Sequence, residues 1–282
     1  MQTSPRKIRL GSEEHKQVFC RFFLDTHDPY RPEDIAWPEL NDEELERLRG
    51  LPVWNQAVKT ETYTALKVQT LGRLEPDPLL GEAVRLQGFE EGRHADILRR
   101  MTDHYGIDVE PFEPLPPPAD PTWAFMRTGY GECMDSFFAF GLFEIGRTSD
   151  FFPRSLIDIF DPVMQEEARH ILFLVNWAAF LRVRTPLLFK PVFDARRGWC
   201  ILSQAVEHAR LALDTKPSSQ QAFTMKSKSA FGDFPLRTFF ELCLTENSRR
   251  LAPYDSRLRR PKLVPTTIRT VLRFLPRHSA SA

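Results

Sequence analysis

A short pattern, Glu-Glu-x-Arg-His, occurs twice in this chain of 282 residues, at positions 90–94 and 166–170. Each copy contains a Glu-x-x-His pair, Glu91 with His94 and Glu167 with His170. Side chains three residues apart on an α-helix project from nearly the same side. Each pair can therefore present one carboxylate and one imidazole to a common point, which restricts the folds that the chain can adopt.

The pattern belongs to a longer internal repeat. Residues 61–73 align without gaps with residues 135–147, and a turn with a proline separates each stretch from its copy of the pattern. Glu61 precedes Glu91 by 30 residues, and Asp135 precedes Glu167 by 32. At about 1.5 Å per residue, this spacing lets two antiparallel helices bring the side chains to one level. The sequence predicts a helical hairpin used twice.

Two such hairpins predict a set of six metal ligands. A four-helix bundle with two Glu-x-x-His pairs, and one carboxylate from each remaining helix, holds two metal ions in its core. Four carboxylates and two imidazoles suit iron or manganese better than a single zinc ion. Without metal, so many buried acids would resist ionising together. The predicted ligands are Glu61, Glu91, His94, Asp135, Glu167 and His170.

Two other acids of the third predicted helix are alternatives to Asp135. Glu132 lies three residues earlier, about 60° away around the helix, so it shares the same face. It is either a seventh ligand or an acid just behind the ligands. Glu144 lies nine residues later, about 180° away, on the opposite side. The order of preference is Asp135, then Glu132, then Glu144.

Neighbouring residues have predicted supporting roles. Arg93 and Arg169 are expected to orient the ligands or to form surface salt bridges. The first glutamate of each pattern, Glu90 or Glu166, lies about 100° from the ligand face and is expected to be solvated or to bind an arginine. Tyr63 is expected in the core, or facing the metal site, where it would move an electron or a proton.

The chain as a whole is predicted to be all-α, because helical periodicity recurs and no strand-like alternation of any length is found. Residues 1–40 form an N-terminal extension, residues 41–185 a four-helix bundle with the dimetal site, and residues 186–282 a helical extension that packs on the bundle. Residues 107–121 contain six prolines, which predict an extended connection across the bundle.

Composition limits the partners and the compartment. The 38 basic and 38 acidic residues cancel, which argues against nucleic-acid binding by the whole chain. The four cysteines are scattered without a CxxC pair, as expected for reduced thiols. With no apparent signal peptide, they predict a cytoplasmic protein. The basic stretch 262–277 is expected to pack on the bundle; contact with a membrane surface is the alternative.

These residues carry a resemblance to a known superfamily. Glu61, Glu91-x-x-His94, an acid on the third helix and Glu167-x-x-His170 resemble the ferritin-like di-iron carboxylate proteins: rubrerythrins, bacterioferritins and bacterial di-iron oxygenases. The resemblance covers about residues 53–183 and is greatest to proteins described only as ferritin-like domain proteins. It implies a ferritin-like bundle with two iron ions, as an Fe/Fe or Mn/Fe pair. Aspartate at Asp135 departs from the superfamily's usual glutamate.

The resemblance implies a di-iron oxidoreductase. Such an enzyme uses O2 to hydroxylate, N-oxygenate or desaturate a small organic substrate, takes electrons from a separate donor, and is expected as a monomer or dimer. One alternative is a ferroxidase or a peroxide-scavenging, rubrerythrin-like protein, for which iron storage predicts a large hollow oligomer. The other alternative is a helical bundle that binds metal without catalysis.

Overall fold

The computed structural model describes residues 8–213 and 235–276. These residues form α-helices, two short 3-10 helices and connections, with no strand among them. The all-α prediction is therefore confirmed for this part of the chain. Residues 1–7 of the predicted N-terminal extension lie outside the described residues, as do 214–234 and 277–282 of the C-terminal one, which include Arg277 of the basic stretch.

Ten α-helices follow one another along the described ranges. Helix starts obey ordinary capping rules: Asn41 and Glu44 form a capping box, and Asp77 and Asp120 each cap a helix whose first residue is proline. The helices are α1 (Glu13–Asp25), α2 (Asp42–Gly50), α3 (Trp54–Leu74), α4 (Pro78–His104), α5 (Pro121–Thr148), α6 (Arg154–Asp158), α7 (Asp161–Arg184), α8 (Lys190–Leu213), α9 (Leu236–Leu251) and α10 (Leu263–Leu272).

Four long helices form the centre of the molecule. α3 packs along α4, α5 contacts both α3 and α7, and α7 also contacts α4. α1 covers α4 and α7, whereas α8 and α9 pack on α5 and on α7. The two copies of the repeated pattern lie within α4 and α7, so all their side chains project from the four central helices.

The C-terminal helix α10 contributes to a buried apolar cluster. Ile268 packs there with Phe137 and Ile145 of α5 and with Phe239 of α9. Contact of this stretch with a membrane surface stays a prediction. Among the described helices, none combines the length and the apolar character needed to cross a bilayer.

Two glycines let α3 and α4 approach closely. A Cβ atom on Gly72 would lie 3.0 Å from the backbone nitrogen of Arg85, and one on Gly88 would lie 2.9 Å from that of Gln69. Side-chain bonds span the same contact: Arg85 donates to the Gly72 carbonyl at 3.0 Å and Gln69 to the Gly88 carbonyl at 3.0 Å. This contact sets the distance between Glu61 and the α4 ligands.

The glycine contact predicts an unusual effect of alanine. Gly88→Ala should lower the free energy of unfolding by about 1–3 kcal/mol, because the added methyl group would meet the Gln69 backbone nitrogen at 2.9 Å as well as its Cγ atom at 2.7 Å. Gly198→Ala on α8 is the matched control, since nothing lies within 4 Å of its added Cβ. The control should raise stability by about 0.5–1 kcal/mol. Urea denaturation measures both, and a Gly88→Ala variant as stable as the parent would contradict the contact.

Candidate metal centre

The four central helices bring ligand-type side chains together in two adjacent groups. Within each group the ligand atoms lie within 4.8 Å of one another. Glu91 belongs to both groups, and Glu167 Oε1 lies 3.2 Å from His94 Nδ1 and 3.8 Å from His170 Nδ1. The groups are Glu61, Glu91, His94 and Glu167, and Glu91, Glu132 and His170.

Both imidazoles turn their Nδ1 atoms toward carboxylates. Nδ1 of His94 lies 3.6 Å from Glu61 Oε2, and Nδ1 of His170 lies 3.0 Å from Glu91 Oε1. These distances suit ion pairs, but neither Nδ1 atom has a hydrogen-bond partner, and neither oxygen of Glu132 has one. Buried polar atoms without a partner are uncommon and need an explanation. A cation between them would supply it.

The opposite nitrogen of each imidazole is held by a different carboxylate. His94 Nε2 lies 2.9 Å from Glu166 Oε2, and His170 Nε2 lies 2.9 Å from Glu90 Oε2. A carboxylate accepts hydrogen bonds, so these contacts place the proton on Nε2 and leave the Nδ1 lone pair toward the cluster. Histidines that ligate metals are commonly oriented by a carboxylate in this way.

The arginines of the repeated pattern pair crosswise. Arg93 of the first copy forms a buried ion pair with Glu166 of the second, and Arg169 lies 2.8 Å from Glu90 of the first. Glu90 and Glu166 are 0% and 2% exposed, so they bind arginine and are not solvated. The signal for their role was in the sequence: the doubled glutamate and the arginine recur together in both copies.

A segment after α1 adds partners that the sequence analysis missed. His27 Nδ1 lies 2.6 Å from Glu90 Oε1, and the Tyr30 hydroxyl donates to Glu166 Oε2 at 3.0 Å. His27, Glu90 and Glu166 could themselves gather around a metal ion. Their carboxylates already carry ion pairs with arginine, so we assign this group to hydrogen bonding. No periodic pattern marks residues 26–30, and no sequence signal pointed to them.

Asp135 is not among the grouped residues, although spacing placed it first. Its side chain is exposed at the wall of a cavity, whereas Glu132 of the same helix is grouped with Glu91 and His170. The connection from α5 to α7 spans residues 149–160 and includes α6, whereas the turn from α3 to α4 covers only 75–77. A longer connection places more residues outside the helices. The residue of α5 that lies level with the ligands of α7 therefore comes earlier in the chain than the spacing between Glu61 and Glu91 suggests.

Two other candidates also lie apart from the cluster. The hydroxyl of Tyr63 donates to the Glu113 carbonyl at 2.7 Å, and its ring packs on Phe112. Tyr63 thus anchors the proline-rich connection, and its role in moving an electron or a proton stays a prediction. Glu144 forms an ion pair with Arg147 at 2.6 Å, as its position on the far side of α5 allows.

The protein alone favours protons where a metal would bind. Burial raises the pKa of Glu61 to about 7, and burial together with the charge of Glu91 raises the pKa of Glu132 well above its usual value. Burial lowers the pKa of His94, but Glu166 and Glu167 outweigh it and raise that pKa well above 6.5. A metal ion must displace these protons, so its binding is coupled to pH.

A cavity of about 770 Å³ lies beside the cluster, between α3 and α5. This volume falls within the range of roughly 300–1,000 Å³ that is usual for ligand pockets. Glu61 keeps 26% of its side-chain exposure because it faces this space. Most of the remaining wall is apolar. The members of the two groups that line the cavity are Glu61, Glu91, His94, Glu132 and Glu167.

No protein-family model, curated protein or solved structure matches this chain. Membership of the ferritin-like superfamily therefore stays a prediction from the sequence pattern.

Exchange of single acids tests the assignment on α5. Glu132→Gln should reduce bound Fe²⁺ to roughly half, because it removes the only carboxylate in the described cluster that belongs to the His170 group alone. Asp135→Asn is the matched control on the same helix and should leave the loading unchanged. Elemental analysis of protein equilibrated with Fe²⁺ without oxygen gives both numbers. The reverse result would restore Asp135 as the ligand.

Removing the metal should make stability depend on pH. The raised pKa values mean that the metal-free native state binds more protons than the unfolded chain between about pH 5 and 8, so its stability falls as the pH rises through this window. Thermal unfolding followed by circular dichroism should show a lower Tm at pH 8 than at pH 6 in the presence of a chelator. The Tm of metal-loaded protein should fall less between pH 6 and pH 8. A chelated protein whose Tm rises toward pH 8 would contradict this.

Proposed function

We propose that the protein is a ferritin-like dimetal carboxylate protein that binds two iron ions and uses O2 to oxidise a small organic substrate. One observation carries the proposal: two buried imidazoles point unpartnered Nδ1 atoms at shared carboxylates beside a large, mostly apolar cavity. Buried acids and imidazoles on adjacent helices are typical of dimetal sites in helical bundles.

The cluster divides naturally between two ions. Glu61 and His94 would hold one ion, and Glu132 and His170 the other. Glu91 and Glu167 lie within reach of both, so they would be shared. With oxygen and imidazole ligands only, the set fits iron or manganese.

The two metal ions, when bound, would supply the chemistry that reduces O2 and oxidises the substrate. The chain's own residues bind and orient. Glu166 and Glu90 hold the imidazole N–H groups, and the two arginines neutralise those carboxylates. The apolar wall of the cavity limits water around the reacting groups.

Electrons must come from outside the chain. A hydroxylation consumes the substrate, O2, two electrons and two protons, and yields the alcohol and water. The sequence has no CxxC pair for a rubredoxin-type iron site, and the four cysteines are separate buried thiols. A separate electron donor is therefore part of the proposal.

The cavity favours an organic substrate over iron storage. A ferroxidase needs a path for iron ions, whereas this cavity has a largely apolar wall that includes Trp54, Met101, Phe152 and Phe160. Apolar walls with a few polar groups are the usual surroundings of organic ligands.

Metal loading and O2 uptake test the proposed function. Purified protein should bind two iron ions per chain, and its ferrous form should consume O2 with a change in visible absorption. His94→Ala and His170→Ala should each leave roughly half of the iron, because each removes the imidazole of one ion. His104→Ala, at the end of α4, is the control and should change neither quantity.

Other outcomes separate the alternatives. Iron loading that is unchanged in both histidine variants would refute the ligand set. A large hollow oligomer that deposits ferric iron would instead indicate a ferroxidase. Loaded protein that is inert to O2 would indicate metal binding without catalysis.

A further inference from the structure

We propose that the cavity binds an amphipathic anion, a carboxylic acid with an apolar chain. Its head group would lie at Lys67 and Arg127, and its chain would pass the ligand cluster toward a closed apolar end. That this molecule is the substrate depends on the proposed function; that it binds does not.

Two cations mark one end of the cavity. Lys67 of α3 and Arg127 of α5 both line it, and the residue next to Arg127, Thr128, accepts a hydrogen bond from Lys67 Nζ at 3.3 Å. Within the described ranges neither cation forms an ion pair with a carboxylate. Asp120, which also lines this end, already caps α5 and pairs with Arg196 at 2.7 Å. The two positive charges are therefore available to a ligand.

The burial of Lys67 strengthens this point. Burial lowers the pKa of its ammonium group; the charges of Glu132 and Glu91 oppose this effect, and that of Arg127 adds to it, so the net pKa is lowered. A buried charge is stabilised by an opposite charge at hydrogen-bond distance. The head group of an anionic ligand would provide one.

Two other acids of the cavity wall, Glu207 and Asp135, lie at a different level along the helix axes from Arg127. α8 runs parallel to α5, since Arg196 contacts Asp120 and, eight residues on, Gln204 contacts the position of Gly131. Glu207 is three residues further along α8. At about 1.5 Å per residue, its backbone lies about 10 Å along the helix axis from that of Arg127. Asp135 lies eight residues beyond Arg127, about 12 Å away along α5.

The opposite end of the cavity is apolar and closed. Its wall contains Leu48, Trp54, Met101, Phe152 and Leu156, none of them more than 9% exposed. Arg127 is exposed and Lys67 is half-buried, so solvent reaches the cationic end. A charged head at the open end and an apolar chain at the closed end match this difference.

The ligand cluster lies between the two ends. On α3, Glu61 follows Trp54 by seven residues and precedes Lys67 by six, so it stands about 10 Å from one and about 9 Å from the other along the axis. A molecule that spans both ends would place the middle of its chain beside the cluster. This assigns the site of oxidation to the apolar chain and away from the head group.

Binding of decanoate to metal-free protein tests the ligand class by itself. Isothermal titration calorimetry should detect decanoate, and the double variant Lys67→Met/Arg127→Met should weaken its binding at least tenfold. The methionines keep apolar stems of similar length, so the apolar end is unaffected. Decan-1-ol, which lacks the charge, should bind the parent and the variant equally, which also shows that the variant is folded. Arg154→Met removes an exposed cation elsewhere and should have no effect on either ligand.

Each deviation has a defined meaning. Decanoate binding that is insensitive to the double variant, or parent protein that prefers decan-1-ol, would overturn the assignment. Iron-loaded protein that consumes O2 with its donor but leaves decanoate and its homologues unoxidised would overturn the substrate role and leave the proposed function standing. Charge-dependent binding by a protein that never reacts with O2 would support the ligand class and remove the proposed function.

Discussion

Burial of carboxylates together is the constraint on which this structure depends. Glu90, Glu91, Glu166 and Glu167 start from neighbouring positions on α4 and α7, and none is more than 8% exposed. An ionised acid is costly to bury unless a cation compensates it. Two arginines compensate the outer pair, Glu90 and Glu166. Within the described chain no arginine pairs with the inner two: Glu91 and Glu167 face the two imidazoles and accept hydrogen bonds from Gln87 at 3.2 Å and Ser136 at 3.0 Å. In the repeated pattern, the first glutamate therefore binds arginine, and the second is the one that could hold an ion.

The crosswise pairing gives the centre two different sides. Glu90, Glu166 and both arginines face α1 and the segment after it, where His27 and Tyr30 complete the hydrogen bonds. The other side faces the cavity, which Glu61 and the inner carboxylates line. Protein closes one side and a ligand can approach from the other. α1 and the segment after it thus cover one side, whereas the central helices supply the grouped carboxylates and imidazoles.

How much the sequence could predict depended on how local each signal was. The Glu-x-x-His pairs lie within single helices, so periodicity alone placed Glu91, His94, Glu167 and His170 on a common face. That Glu132 and not Asp135 is grouped with Glu91 and His170 depends on the level of α5 relative to α7, which the length of the connection influences and helical periodicity does not. His27 and Tyr30 come from an irregular segment whose position results only from packing. Lys67 and Arg127 could not be singled out either, because their proposed role in ligand binding depends on a cavity that forms only when the helices pack.

The two proposed sites are linked by charge. The carboxylate of Glu132 stabilises the charged form of Lys67, which partly offsets the effect of burial. Metal ions bound by the cluster would neutralise that negative charge. Lys67 and Arg127 would then bind an anionic head group more tightly. Coupling between two binding equilibria is reciprocal, so an amphipathic anion would in turn favour the metal-loaded state. The cavity would thereby couple binding of an acid to metal loading of the cluster.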